Sequence, residues 1–288
     1  MNPTIAILSM GEMGSGVGCA LVNDGARVVT SLVGRSQASA ARAAKAGVEL
    51  VSNEAALVTQ ADFFLSIVPP AGAAALAERL LPHIRLAQRK PVFVDCNALA
   101  PATVIQIAAP FLAEGLPFVD VGIIGAPPAA GAVAPRFYAS GPAVTRFEEL
   151  RSFGVDVRPL SNQVGDASAL KMSYGGINKG LQALGSAMFL GAMRTGVSRA
   201  LWLEMQESQP EVLRVLSRGL PKMYAKAYRW VAEMEEISKF LQPETGGSEM
   251  FSGAAHLYED IADDFAAGAE HNRVALLTEF LAQNTPRK

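Results

Sequence analysis

The chain has 288 residues, of which half are hydrophobic and 18% charged, and 25 Lys+Arg against 27 Asp+Glu give a net charge of −2. So little charge on so apolar a chain excludes a disordered protein, and the near balance argues against electrostatic binding of nucleic acid or an anionic membrane. Two Cys and three His exclude a disulfide framework and argue against a His/Cys metal cluster.

In chain order, Thr4 to Leu8 is a short apolar run that predicts a strand. The glycine-rich segment Ser9-Met10-Gly11-Glu12-Met13-Gly14-Ser15-Gly16 follows. Val17, Ala20 and Leu21 then recur at helical spacing until Asn23-Asp24-Gly25 ends the pattern, and Arg27 to Val33 predicts a second strand. Strand, glycine turn, helix and strand in about 30 residues make a βαβ unit. Its glycines let backbone approach a pyrophosphate, and the helix N-terminus offers free N–H groups and a positive dipole end. In the G-x-G-x-x-G register Ser9 stands at the first glycine, Gly11 at the second and Gly14 at the third. A glycine turn alone has an ordinary structural explanation, and the strand–turn–helix–strand context selects the dinucleotide reading. Ser9, Met10, Gly11, Glu12, Met13 and Gly14 are therefore candidate cofactor contacts.

The end of the second strand selects the cofactor. An NAD site places an acid there for the ribose 2′-hydroxyl. This chain has Val33-Gly34-Arg35-Ser36-Gln37, with no acid before Glu49. Arg35 and Ser36 suit a 2′-phosphate, which an arginine grips by charge-assisted paired hydrogen bonds. The expectation is NADP(H), against the alternative of a solvated surface arginine.

Alternation of strand and helix continues. Ala61 to Pro70 predicts a strand ending in prolines, Ala75 to Ile84 a helix, and Pro91 to Asn97 another strand. Leu116 to Val121 predicts the next, followed by a Gly/Pro/Ala-rich loop to Pro135, and Phe137–Ser140 and Val155–Arg158 the last two. Ligands of open α/β sheets lie at the strand ends, so Val68, Pro69 and Asn97 join the cofactor candidates. The loop expected after Asp120, with Gly122, Ile123 and Ile124, is a further crevice candidate.

After Gly165 no strand pattern recurs. Asp166 is placed to cap a helix from about Ala167 to Met193. Lys171 stands out in this small-residue, apolar helix, with Tyr174, Gly175 and Asn178 on its face. A lysine there must snorkel, pair or do chemistry, and desolvation makes a lysine a usable proton donor near neutral pH. Helical patterns cover Ser198–Glu207, Glu211–Leu241 with a break expected at Pro221, and Glu249–Ala282. Gln242 to Ser248 reads as a loop, either a connection or a lid. His256, Asp260, Asp263, Asp264 and His271 read as a solvated acidic helix face rather than a metal site.

The chain resembles the β-hydroxyacid dehydrogenase family, with its 6-phosphogluconate dehydrogenase-like members. The family's opening Gly-x-Gly-x-Met-Gly reads here Ser9-Met10-Gly11-Glu12-Met13-Gly14. Its Asp-x-Ser-Thr segment resembles Asp95-Cys96-Asn97-Ala98, with Pro101 just beyond. Its substrate loop resembles Asp120 to Ala126, and its lysine helix Gly165-Asp166-Ala167-Ser168-Ala169-Leu170-Lys171. The resemblance implies that Lys171 is the general acid/base as hydride moves to or from a nicotinamide. It also implies a helical second domain. Three positions depart from the pattern. Tyr174-Gly175 replaces the family's Asn-Asn, with Asn178 a possible substitute; Ile124 stands at a serine; and Glu235-Glu236-Ile237 stands at Lys-Asp-Leu.

The expected architecture is an α/β Rossmann domain with a doubly wound, mostly parallel sheet over 1–163, then an all-α domain over 164–288. The expected function is NADP-dependent hydride transfer to or from a small β-hydroxy acid or related carbonyl. Imine reduction and a non-catalytic NADPH-binding regulator are the alternatives. A helical domain rich in small and apolar residues predicts a homodimer formed through it. Met1-Asn2-Pro3-Thr4 lacks a basic signal region, so a cytoplasmic location is expected.

Overall fold

In a computed structural model, residues 2–129, 131–267 and 273–284 are described. The first strands and helices are β1 (Thr4–Ile7), α1 (Glu12–Asn23), β2 (Arg27–Thr30), α2 (Gln37–Lys45), β3 (Glu49–Leu50), α3 (Glu54–Gln60), β4 (Phe63–Ser66) and α4 (Ala73–Leu86), of which α2, β3 and α3 are not among the elements expected from sequence. Then come β5 (Val92–Asp95), α5 (Pro101–Ala113), β6 (Phe118–Ile124), β7 (Arg136–Ser140), α6 (Val144–Phe147) and β8 (Asp156–Ser161). One eight-stranded sheet results, in the order β3-β2-β1-β4-β5-β6-β7-β8. All pairings are parallel except β6 with β7. The order reverses at β1, which lies between β2 and β4, so the strand ends there open a crevice.

Continuous apolar runs in the central strands have a direct cause, because both sheet faces are covered. Alternate residues feed two cores. Ile5, Ile7, Val28, Phe63, Val94 and Val121 pack with Val17 and Leu21 of α1 and Phe147 of α6. Ala6, Val29, Phe64, Phe93 and Phe118 pack with Leu57, Leu80, Val104 and Phe111 of α3, α4 and α5. Phe64, Phe93 and Phe118 form a stacked row across three strands, at centroid spacings of 5.8 and 5.6 Å.

Several boundaries differ from expectation. β2 stops at Thr30 instead of Val33, because Gly34 takes φ +69° and turns the chain back, with the Arg35 N–H donating to the Leu32 carbonyl at 3.0 Å. β6 runs on to Ile124, so Gly122, Ile123 and Ile124 are strand residues and not loop residues. They pair antiparallel with Tyr138, Phe137 and Arg136, a partnership that a local pattern cannot reveal.

The chain then forms α7 (Asp166–Arg194), α8 (Ser198–Ser208), α9 (Pro210–Met223), α10 (Ala227–Phe240), α11 (Thr245–Ala266) and α12 (Arg273–Asn284). The break between α9 and α10 is a 3-10 turn at Tyr224–Lys226, one residue past the end of α9, and Pro221 lies within the helix. α11 starts at Thr245, so most of the expected 242–248 loop is helix or its immediate approach, and the expected 249–282 helix is two helices. The chain divides into two compact units, 1–172 and 173–288, and α7 begins in the first and continues into the second.

Within the second unit, Phe189, Trp202 and Phe280 form one aromatic group, and Trp230 meets Tyr258 edge-on at 5.2 Å. Phe251 packs against Gly176 and Gly180 of α7. Tyr228 is exposed. Asp260 and Asp264 pair with Arg273 at 3.4 and 2.7 Å, while His271 lies outside the described residues. Among the described residues no helix is long and apolar enough to cross a membrane.

Candidate active site

The phosphate end of the site is built from the β1–α1 turn. The first N–H groups of α1 have no partner within the helix. Gly11 stands at the helix cap with open space over its α-carbon, since an added Cβ would find its nearest neighbour, the Ser9 hydroxyl oxygen, 4.0 Å away. Gly14 has the opposite reason for being glycine, as a Cβ there would lie 2.0 Å from the Ser9 carbonyl oxygen. Gly11 thus leaves room for a ligand, and Gly14 lets the helix close onto the strand. These features fit the pyrophosphate of a dinucleotide. Met10 is buried, Met13 packs against the core, and Glu12 is exposed at the first turn. The backbone rather than these side chains carries the binding potential.

Arg35 and Ser36 sit on the turn between β2 and α2, both exposed. Ser36 caps α2, its hydroxyl accepting the Ser39 N–H at 3.3 Å. Arg35 therefore stands immediately before a helix N-terminus, a second place where anionic groups are favoured. Arg42, in the second turn of α2, was not singled out from sequence. Its Nε donates to the Met10 carbonyl at 2.5 Å and ties α2 to the glycine turn.

At the ends of β4 and β5 the Asn97 side chain is a clamp. Its Oδ1 accepts the Val68 N–H at 2.7 Å and its Nδ2 donates to Ser66 Oγ at 2.9 Å. Asn97 is buried, Val68 half-buried and Pro69 exposed. The clamp fixes the crevice rim where Val68 and Pro69 emerge.

Lys171 lies near the start of α7 and is half-buried. Its position follows from Asp120 on β6. Asp120 Oδ2 accepts the N–H groups of Gly165 and Ser168, both at 3.0 Å, and the Ser140 hydroxyl at 3.3 Å, while Oδ1 accepts the Ser168 hydroxyl at 2.7 Å. Ser140 Oγ in turn accepts the Ala167 N–H at 3.0 Å. The cap of α7 is thus a carboxylate from the neighbouring sheet. Asp166, the expected cap, instead accepts the Ser161 hydroxyl at 2.6 Å. Gly122 completes the seat, since a Cβ there would lie 2.7 Å from the Ala167 carbonyl oxygen and 3.0 Å from Lys171 Cβ. Gly122 was expected to meet substrate; its observed neighbour is the helix that carries Lys171.

Asp95, Cys96 and Asp120 act electrostatically on Lys171. Burial lowers the Lys171 pKa, and the three neighbours oppose that shift. Burial pushes Asp95 up to about 7, with the Asp120 charge adding to the rise and the Asn97 N–H and Lys171 opposing it. Burial also raises the Cys96 thiol well above its usual range, with Asp95 adding to the effect, so it stays protonated at neutral pH. Burial raises Asp120 too, against the pull of its Ser168, Gly165 and Ser140 donors. Ile123 and Ile124 are buried at the end of β6. Tyr174, Gly175 and Asn178 belong to the second unit. There Tyr174 and Asn178 are exposed, and Asn178 Nδ2 donates to the Tyr174 carbonyl at 2.9 Å. The departure at 235–237 is partly structural: Glu236 is buried and bound by Lys239 at 2.7 Å.

Comparison with known proteins gives this geometry a family. Residues 4–152 match the NAD binding domain of 6-phosphogluconate dehydrogenase. The chain belongs to that family. Residues 192–261 match a domain of unknown function, DUF1932, placing the helical half in a branch of its own. A conserved protein of unknown function, described as structurally similar to 3-hydroxyacid dehydrogenases, is 27% identical with a TM-score of 0.68, over 90% of this chain and 97% of its own. The 3-hydroxyisobutyrate dehydrogenase of Mycobacterium tuberculosis, solved with L-serine, shares the fold at a TM-score of 0.74 and 17% identity, over 97% and 99% of the two chains. An imine reductase from Myxococcus stipitatus, in complex with NADP+, shares it at a TM-score of 0.55 and 21% identity, over 97% and 100%.

Proposed function

We propose that this protein is an NADP(H)-dependent oxidoreductase that interconverts a small β-hydroxy acid, or a related secondary alcohol, with its carbonyl compound. The supporting observation is Lys171. It is a lysine whose pKa burial lowers, at the crevice end of a nicotinamide-cofactor fold, on a helix start that a buried carboxylate fixes. A nicotinamide supplies or removes hydride at carbon. Lys171 supplies the matching proton: in reduction its ammonium N–H bond breaks as the substrate oxygen gains the proton, and in oxidation the neutral amine takes it back. The amides of the β1–α1 turn hold the pyrophosphate, with Ser9 to Gly14 lining it. Arg35, Ser36 and the N-terminus of α2 hold the 2′-phosphate. Val68, Pro69 and Asn97 shape the nicotinamide end. Gly122, Ile123, Ile124, Tyr174, Gly175 and Asn178 are the substrate-side residues of this reading. Residues 1–163 form the cofactor domain and 164–288 the substrate and dimerisation domain.

The test is the absorbance change of NADPH or NADP+ with a panel of hydroxy acids, ketones and imines. Turnover of a hydroxy acid or its keto form is expected, and Lys171→Ala should lower it by roughly two to four decades while NADPH still binds. An active Lys171→Ala enzyme would remove the proposed mechanism. Turnover of imines alone would assign the chain to C=N reduction, a reading that the missing Asn at Tyr174-Gly175 favours. Tight cofactor binding with no turnover on any of them would point to a regulator.

A further inference from the structure

Two buried acids stand at the same level of the sheet. Asp95 ends β5, Asp120 lies on β6, and the strand register pairs their α-carbons directly. Both side chains project to the sheet face that carries Phe93 and Phe118, because their neighbours Val94, Val119 and Val121 face the other core. Each residue is only 1% exposed. Their partners differ sharply. Asp120 receives four hydrogen bonds, three from the start of α7 and one from the Ser140 hydroxyl of β7. Asp95 receives the Asn97 N–H on Oδ1 at 2.9 Å, and its Oδ2 is buried with no hydrogen-bond partner.

An orphan carboxylate oxygen in a buried site is costly and needs a reason. Lys171 stands over these strand ends: a Cβ at Gly122, two residues from Asp120 on the same face of β6, would lie 3.0 Å from Lys171 Cβ, and Asp120 and Lys171 are the ionisable groups acting on Asp95. Those acting on Lys171 are Cys96 and Asp95 from β5 and Asp120 from β6. Cys96 is a neutral thiol at neutral pH. Asp120 is already saturated by donors. Asp95 is therefore the acid of this group with an oxygen to spare.

We propose that Asp95 is a positioning residue for Lys171: its free carboxylate oxygen is the counter-charge that holds the lysine as an ammonium and sets the pH at which it gives up its proton. The coupling is electrostatic and runs both ways: an ionised Asp95 favours the ammonium of Lys171, and a charged Lys171 favours the carboxylate of Asp95. The catalytic consequence rests on the reading of Lys171 as proton donor; the pairing itself does not.

The test reads the pair without substrate. Protein labelled with [ε-13C]lysine reports the titration of each ammonium by NMR, and the Lys171 signal is the one lost in Lys171→Met. In Asp95→Asn the Lys171 midpoint should fall by about one pH unit or more, since an opposite charge at close range moves a pKa by roughly one to three units. An unchanged midpoint in folded Asp95→Asn would overturn the proposal. Should that variant fail to fold, [γ-13C]aspartate in the wild type and in Lys171→Met gives the reciprocal reading. The Asp95 midpoint, about 7 in the wild type, should rise when the lysine charge is removed. No movement there would equally overturn it. Loss of turnover in Lys171→Ala tests the proton-donor reading separately, so a shifted midpoint with an active Lys171→Ala enzyme would uphold the pair and refute the donor role.

Discussion

Arg35 is presented by backbone geometry. Gly34 at φ +69° and the capping hydroxyl of Ser36 place it at the mouth of α2, exposed. Arg35→Ala should weaken NADPH far more than NADH, because only NADPH carries the 2′-phosphate. Fluorescence titration of both cofactors checks this, and equal losses would remove the phosphate role. Asp95 makes a prediction of a different kind. Its carboxyl is raised from 3.8 to about 7 on folding, so the folded chain holds a proton that the unfolded chain has released. That contribution is complete below about pH 4 and disappears as pH rises through about 7. Asp95→Asn cannot ionise and still offers an oxygen to the Asn97 N–H. Its stability relative to wild type should therefore improve between pH 5 and pH 8, by at most ~3 kcal/mol, because that window reaches about two pH units below the raised pKa at about 1.4 kcal/mol per unit. Urea midpoints at the two pH values measure the trend, and a difference that does not change with pH would contradict it. Lys171 and Arg35 could be singled out from sequence because each is a cation where the pattern offers it a task. Asp95 and Asp120 could not be assigned roles there. An acid on a strand becomes informative only once register shows what faces it.

α7 is the element on which the site depends, and the structure holds its first turn from the sheet. Asp120 and Ser140 together take the N–H groups of Gly165, Ala167 and Ser168. Asp120→Ala leaves the N–H groups of Gly165 and Ser168 and the hydroxyls of Ser168 and Ser140 without their acceptor, which costs about 3 kcal/mol or more. Ser140→Ala removes one neutral acceptor and should cost about 1 kcal/mol. Denaturant unfolding of the two variants should give that order. Gly122→Ala probes position instead of anchoring. Its new methyl would sit 2.7 Å from the Ala167 carbonyl oxygen, so α7 must move and Lys171 with it. Turnover should fall about tenfold or more while NADPH affinity holds, since a small misplacement of a catalytic group is expensive. Two helices missed from sequence have different causes. α2 is an alanine-rich surface helix with Ala43 as its buried residue, which leaves no strong apolar stripe. α5 has a stripe in Val104, Ile107, Ala108 and Phe111, but Pro101 at its start and Pro110 within it read as breaks. The central strands were legible because burial on both faces makes them continuous apolar runs. Their ends were not, since Gly34 and the β6–β7 pairing set those through non-local geometry.

At the scale of the whole molecule, the sequence located a sheet-bearing first part and a helical second part, and what it could not show is which helical surface remains uncovered. In the second unit, α7 exposes Tyr174, Ile177, Leu184 and Met188 by 50, 73, 58 and 55%. At 100° per residue these four lie within one sector of the helix, with half-buried Leu181 between them. A continuous exposed apolar stripe of this kind marks an association surface. We propose that it is the self-complementary centre of a homodimer. A two-fold axis across one helix lets each stripe cover its own copy, the commonest closed arrangement of identical chains. A stable interface of this kind buries roughly 800 Å² from each partner, so two charges at its centre should be enough to open it. Ile177→Asp with Leu184→Asp should convert a dimer to a folded monomer at micromolar concentration, with helical content retained by circular dichroism. Light scattering distinguishes the states. A wild-type monomer, or a double variant that still dimerises, would place the association surface elsewhere or remove it.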